Sequence, residues 1–106
     1  SGTLEGAQRS EKILNRMIKL FEDATLPVRP DKVSYNTVIS AYGRQGRPRE
    51  ATKVLDRQYQ DFLNGNYSAE LSVRSFIGVI DGWTKSGEAI AGEMAEEMLD
   101  RMEDLR

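Results

Sequence analysis

Along residues 33–46 (VSYNTVISAYGRQG) the apolar positions Tyr35, Val38, Ile39 and Tyr42 stand at i, i+3, i+4 and i+7, with small or polar residues between them. That is the stripe of a helix packed on one side, and it lacks the alternation of a strand. The same design returns 41 residues later, where residues 74–87 read RSFIGVIDGWTKSG. Ser34 falls on Ser75, Tyr35 on Phe76, Val38-Ile39 on Val79-Ile80, Tyr42 on Trp83 and Gly46 on Gly87. Asp31 and Ser72 precede the two stripes, where a side-chain oxygen can accept from free N–H groups of the first turn. Gly46 and Gly87 stand where a helix end needs a residue tolerant of positive φ. The chain therefore contains an internal repeat of a helical element, termed A.

The intervening stretches repeat as well. Residues 10–17 align with 51–58 and with 95–102, each with a small or polar residue, then an aliphatic pair, then Asn/Asp-Arg. The pairs are Ile13-Leu14, Val54-Leu55 and Met98-Leu99, and the dipeptides are Asn15-Arg16, Asp56-Arg57 and Asp100-Arg101. With this element termed B, the order is B–A–B–A–B. The predicted helices cover about 3–23, the two A stretches, 49–63 and 88–105, with Gly92 a weak point early in the last. Such a helix pair cannot bury its apolar face alone, so the pairs must stack. The fold class expected is all-α, a short α-solenoid of antiparallel helix pairs in five helices. Residues 1–31 read as the second helix of a truncated leading repeat plus a connector, 32–71 as one complete repeat and 72–106 as another, together one domain. Eight side chains should be buried between layers: Tyr35, Val38, Ile39, Tyr42, Phe76, Val79, Ile80 and Trp83. Met94, Met98 and Met102 form an i+4 row expected to pack on the second A helix. Ile13, Leu14 and Met17 should be only partly covered, leaving an end that meets a neighbouring repeat or a protein subunit.

Composition narrows the function classes. The chain of 106 residues has no Cys and no His, which removes disulfides, thiolate nucleophiles, the commonest general base and the commonest transition-metal ligand. Adjacent acids such as Glu96-Glu97 and Glu103-Asp104 point to different helix faces and do not converge. The reading is a non-enzyme with no cofactor, no metal and no small-molecule substrate. No apolar run approaches membrane-spanning length, so no membrane insertion is expected. The chain starts Ser1-Gly2 and reads as a segment of something longer. Its net charge of −2 is uneven: residues 1–31 balance, 32–64 carry +3 and 65–106 carry −5. A dedicated nucleic-acid-binding domain is more often basic overall, so strong affinity for RNA or DNA by this chain alone is not expected.

The string Pro30-Asp31-Lys32-Val33-Ser34-Tyr35-Asn36-Thr37-Val38-Ile39, followed by Gly46, Ala51 and Leu55, resembles the pentatricopeptide repeat. The resemblance extends over nearly the whole chain. It is looser in the second copy, where Ile77 stands for the Asn and Leu71-Ser72 for Pro-Asp, and where the spacing exceeds the family period of about 35. The surplus falls in the 64–71 connector. Tetratricopeptide repeats are the structural rival, but their Trp and Ala-Pro signatures are absent. The resemblance implies a right-handed superhelix binding single-stranded RNA in a mitochondrion or plastid, at about one nucleotide per repeat. It implies base-reading positions at Asn36 with Ser72 as its partner, and at Ile77, with Asp31 the partner residue of the truncated leading repeat. It also implies that Val33 and Arg74 flank the base.

Asn36, Ser40 and Arg44 form a row at i, i+4 and i+8, matched by Ile77, Asp81 and Lys85, and each row ends in a cation. Arg44 and Lys85 are therefore candidate phosphate contacts, with Arg47 and Arg49 near the same rim. Helix C-termini also favour cations through the macrodipole, which needs no RNA. Two functions stay open: an RNA-binding segment with a degenerate base-reading code, and a protein–protein interaction scaffold, a structural subunit of a large organellar assembly that kept the fold and lost the code.

Overall fold

The computed structural model describes residues 3–25, 27 and 29–105. Ser1-Gly2, part of the 24–30 connector and Arg106 lie outside the described residues. Five α-helices follow in order: α1 (Leu4–Glu22), α2 (Lys32–Arg44), α3 (Pro48–Leu63), α4 (Val73–Ser86) and α5 (Ala91–Asp104), with a 3₁₀ turn at Tyr67–Ala69. Thr3 Oγ1 accepts from Gly6 N at 3.0 Å, and Asp31 Oδ1 accepts from Ser34 N at 3.0 Å, capping α1 and α2. Pro48 opens α3, where its missing N–H costs nothing. Gly46 and Gly87 adopt φ of 65° and 73°, as the turn after each A helix requires.

The last helix begins at Ala91 and not at Glu88. The A stretches are 41 residues apart but the B stretches from α3 to α5 are 44 apart, so the second A–B turn is longer. Ser86 Oγ accepts from Glu88 N at 3.2 Å and Ala91 N donates to Glu88 O at 3.1 Å, which shapes these residues into a turn ahead of α5. Gly92 falls inside α5 with open space around it. The surplus connector is held by its own bonds. Asn66 is buried and its Nδ2 donates to Pro30 O at 2.7 Å and to Asp61 Oδ2 at 2.8 Å, while Ala69 enters the core.

The A helices α2 and α4 lie directly against each other, α1 and α3 pack on α2, and α3 and α5 pack on α4. The approach of α2 to α4 is close enough that a Cβ on Gly43 would sit 2.3 Å from the Gly78 carbonyl oxygen. Seven of the eight expected side chains are buried: Tyr35, Val38, Ile39, Tyr42, Phe76, Val79 and Trp83. Met98 is buried and Met94 and Met102 pack beside it, as their row predicts. Tyr35 Oη donates to Asp61 Oδ2 at 2.8 Å, and Tyr42 Oη donates to Glu11.

Two expectations about the ends need correction, and both have the same cause. Ile80 is only half-buried, because its equivalent Ile39 is covered by α4 while no further helix among the described residues lies on the matching side of α4. In α1, Leu14 is fully buried although Ile13 is 58% exposed and Met17 half-buried. The first member of each B-helix pair packs toward its own A helix and the second toward the next one. Hence Val54 and Leu55 are both buried, whereas α5 buries Met98 and leaves Leu99 45% exposed. No helix among the described residues is long and apolar enough to cross a membrane.

Candidate nucleic-acid interface

The first turns of α2 and α4, set side by side by the glycine contact, open a groove in two contiguous halves of about 700 and 570 Å³. Asn36 lies in the first half, between Val33 from its own helix and Arg74 from the next. Val33 is 64% exposed and Arg74 is exposed, so both can meet a planar ligand lying over Asn36. Ser40 and Arg44 continue the same helix row along both halves.

Asn36 itself is largely buried, and its amide is oriented from below. Its Oδ1 accepts from Ser75 Oγ at 2.7 Å, and its Nδ2 lies 3.5 Å from Ser72 Oγ. Ser75 is fully buried in the first turn of α4 and accepts from Ser72 N at 3.4 Å. Beneath it the buried Gln58 donates from Nε2 to Glu70 O at 3.2 Å. With its carbonyl oxygen engaged by Ser75 and one amide hydrogen directed at Ser72, Asn36 keeps one amide hydrogen to offer: a donor, suited to an acceptor on a ligand edge.

The second half of the groove differs in chemistry. Ile77 occupies the position matching Asn36, is 56% exposed and offers no hydrogen bond. Asp31 does not line the groove. Its carboxylate is spent on the cap of α2, and the Ser34 backbone N–H holds its pKa below the usual value.

The candidate cations separate into two groups. Arg44 and Arg74 line the groove, and among the described residues neither makes an ion pair. Lys85 is paired with Asp81 at 3.0 Å and Arg47 with Glu50 at 3.6 Å. Arg49 forks onto Glu88, with Nη2 2.9 Å from Oε1, and its guanidinium stands 5.1 Å over the Trp83 ring. That contact ties α3 to the turn before α5 and draws the Glu88 carboxyl below its usual pKa. Neither Arg47 nor Arg49 lines the groove. Lys32, which the sequence pattern did not single out, does, and it too makes no ion pair among the described residues. Ser75 was legible only as the match of Ser34, whose hydroxyl instead donates to Asp31 at 3.1 Å. That the second copy turns its serine toward Asn36 depends on how α4 packs across α2.

Residues 27–57 match the PPR repeat family, and these residues contain all of α2, the A–B turn and the first half of α3. A pentatricopeptide repeat-containing protein of Arabidopsis thaliana is 28% identical over 104 residues, covering 98% of this chain. Residues 27–57 are thus similar to a pentatricopeptide repeat, and nearly the whole chain is similar to a protein that contains such repeats. The chain spans 16% of the length of that curated relative. No solved structure matches it. Pentatricopeptide repeats are helical repeats that usually serve RNA binding, and the matched segment holds Val33, Asn36 and Arg44 of the groove. Ser72, Arg74 and Ile77 lie beyond it, in the more divergent copy.

Proposed function

We propose that the groove between α2 and α4 binds single-stranded RNA and reads one base. The observation that carries this reading is Asn36, which lines the groove beside Arg44 and Arg74 with its carbonyl oxygen taken by Ser75 and one amide hydrogen by Ser72, leaving one amide hydrogen as a donor. A base lies between Val33 and the Arg74 guanidinium plane, with an acceptor on its edge taking the Asn36 N–H, as a pyrimidine carbonyl can. Arg44 and Lys32 meet the adjacent phosphates, which positions the strand without specifying sequence. At Ile77 a second base packs on an aliphatic surface and is not read by hydrogen bonding. The acidic α5 lies outside the groove and adds long-range repulsion, so affinity in isolation is low. The site of action consistent with the family is a mitochondrion or plastid, and the longer relative implies more repeats acting together in one protein.

A protein–protein scaffold is the second reading, favoured by the three exposed aliphatic side chains Val33, Val73 and Ile77 along the groove. Fluorescence anisotropy on homopolymer RNAs at low salt separates the two. Two phosphate contacts predict a log–log salt slope of about −1.4. Arg44→Glu with Arg74→Glu should abolish binding to every sequence. Asn36→Ala or Ser75→Ala should change base preference and leave the salt slope intact. No binding by folded protein even at low salt favours the scaffold, and binding indifferent to both charge reversals rules out this groove.

A further inference from the structure

The last position of the B-helix alignment holds Met17 in α1, Gln58 in α3 and Met102 in α5. A flexible apolar side chain serves there in α1 and α5, whereas α3 buries a primary amide completely. Burying an amide is unfavourable unless its hydrogen bonds to water are replaced, so the contacts of Gln58 carry the meaning of its presence. Its Nε2 donates to Glu70 O at 3.2 Å, and its Oε1 lies 3.5 Å from Ser75 Oγ. The Glu70 carbonyl can only accept, which fixes the Gln58 nitrogen toward Glu70 and its oxygen toward Ser75.

Ser75 has one hydroxyl hydrogen and two acceptors for it, Asn36 Oδ1 at 2.7 Å and Gln58 Oε1 at 3.5 Å. With the hydrogen on the shorter contact, Ser75 has none left for the buried Gln58 oxygen. Turning the hydroxyl onto Gln58 reverses the order. The Asn36 amide can then turn over, with Nδ2 donating to Ser75 Oγ and Oδ1 accepting from the Ser72 hydroxyl. Ser75 still accepts from Ser72 N, now 3.4 Å away, so every member of the chain has a partner in this second arrangement. Asn36 then offers the groove a lone pair in place of an N–H. The exchange needs rotation only about the Ser75 hydroxyl bond and the terminal bond of Asn36.

We propose that Gln58 makes Asn36 a two-way reader, donor in one arrangement and acceptor in the other, so that the groove takes base edges of either polarity. This rests on the reading of the groove as an RNA site and adds the residue that sets its selectivity. Gln58 lies beneath the groove and acts through Ser75, which makes it a positioning residue. Gln58→Met installs the side chain found at 17 and 102, removes the second acceptor and locks Asn36 as a donor.

Uridine and cytidine have the same shape and opposite donor–acceptor order along the Watson–Crick edge, so a locked reader must separate them and a two-way reader need not. Fluorescence anisotropy at low salt compares short oligouridine with oligocytidine. The wild-type affinities should agree within about twofold, and Gln58→Met should separate them by about fivefold or more, the worth of one hydrogen bond. A purely structural role would weaken both oligonucleotides alike. With Ser75→Ala in place, Gln58→Met should no longer change the ratio. Gln58→Leu, equally unable to accept, replaces Gln58→Met if that variant does not fold. The NMR shift of the Asn36 side-chain carbonyl carbon, read without RNA, gives an independent readout. Gln58→Met should move it toward the more strongly hydrogen-bonded value, and Ser75→Ala should move it the opposite way. An unchanged carbonyl signal in the folded Gln58 variant overturns the proposal, as does an unchanged ratio where RNA binds. If no variant binds RNA while the carbonyl signal moves as stated, the RNA reading fails and the coupling of Gln58 to Asn36 stands.

Discussion

The groove exists only because α2 and α4 approach through glycine, and Gly43→Ala perturbs that approach directly. The new Cβ would lie 2.3 Å from the Gly78 carbonyl oxygen. That is over an ångström short of ordinary contact, about 3.5 Å, and the neighbour is backbone that no rotamer change can move. Alanine gains about 1 kcal/mol over glycine in a helix interior. Overpacking costs about 1–3 kcal/mol. Separating the helices also strains the Ser75–Asn36 bond, worth about 1 kcal/mol. The net expectation is a loss of about 1–3 kcal/mol. Gly78→Ala meets Ile39 Cγ2 at 2.7 Å, a side-chain tip within a packed site, and should fall between Gly43→Ala and wild type. Gly92→Ala meets nothing within 4 Å and should stabilise by up to about 1 kcal/mol. Urea unfolding followed by far-UV circular dichroism gives the order Gly43→Ala, Gly78→Ala, wild type, Gly92→Ala in rising midpoint. Gly43→Ala at or above the wild-type midpoint would refute the close-contact reasoning.

Two further predictions concern stability. Ile39→Ala removes a fully buried side chain and should cost about 2–5 kcal/mol, whereas Ile80→Ala at the half-covered equivalent should cost clearly less; equal losses would contradict the end-face assignment. Tyr35 and Tyr42 have phenol pKa values raised well above 10, first by burial and then by hydrogen bonds to Asp61 and Glu11. In the unfolded chain these phenols ionise near 10 and gain free energy there, so the stabilising contribution is complete below about pH 10 and is lost as pH rises beyond it. Replacing both by Phe should flatten the alkaline limb of a stability–pH profile, and an unchanged limb would show that the phenols are not coupled to folding.

Helix type, number and order follow from local periodicity, which is why the two A stripes and the Met row could be read directly. What periodicity does not carry is which neighbour covers each side. Ile39 and Ile80 occupy the same sequence position, as do Leu14 and Leu99, yet their burial differs because stacking supplies a partner on one side only. Charge rows are similarly incomplete. Arg44 and Lys85 match in sequence, but Asp81 lies one turn from Lys85 and pairs with it, while Ser40 at the equivalent place leaves Arg44 unpaired. Arg49 is drawn off by Glu88 and Trp83, contacts 39 and 34 residues away that no local pattern shows. Ser75 acts on Asn36 across the helix junction, a relation set by packing.

The central claim, that the α2–α4 groove takes single-stranded RNA, is tested most directly by residue-level NMR titration with short pyrimidine and purine oligonucleotides at low salt. Backbone shifts should concentrate at Lys32, Val33, Asn36, Arg44, Ser72 and Arg74, with the Asn36 side-chain amide moving for one base type and little for another. Shifts confined to α1, α3 or α5, or none at saturating RNA with the protein folded, would contradict the account.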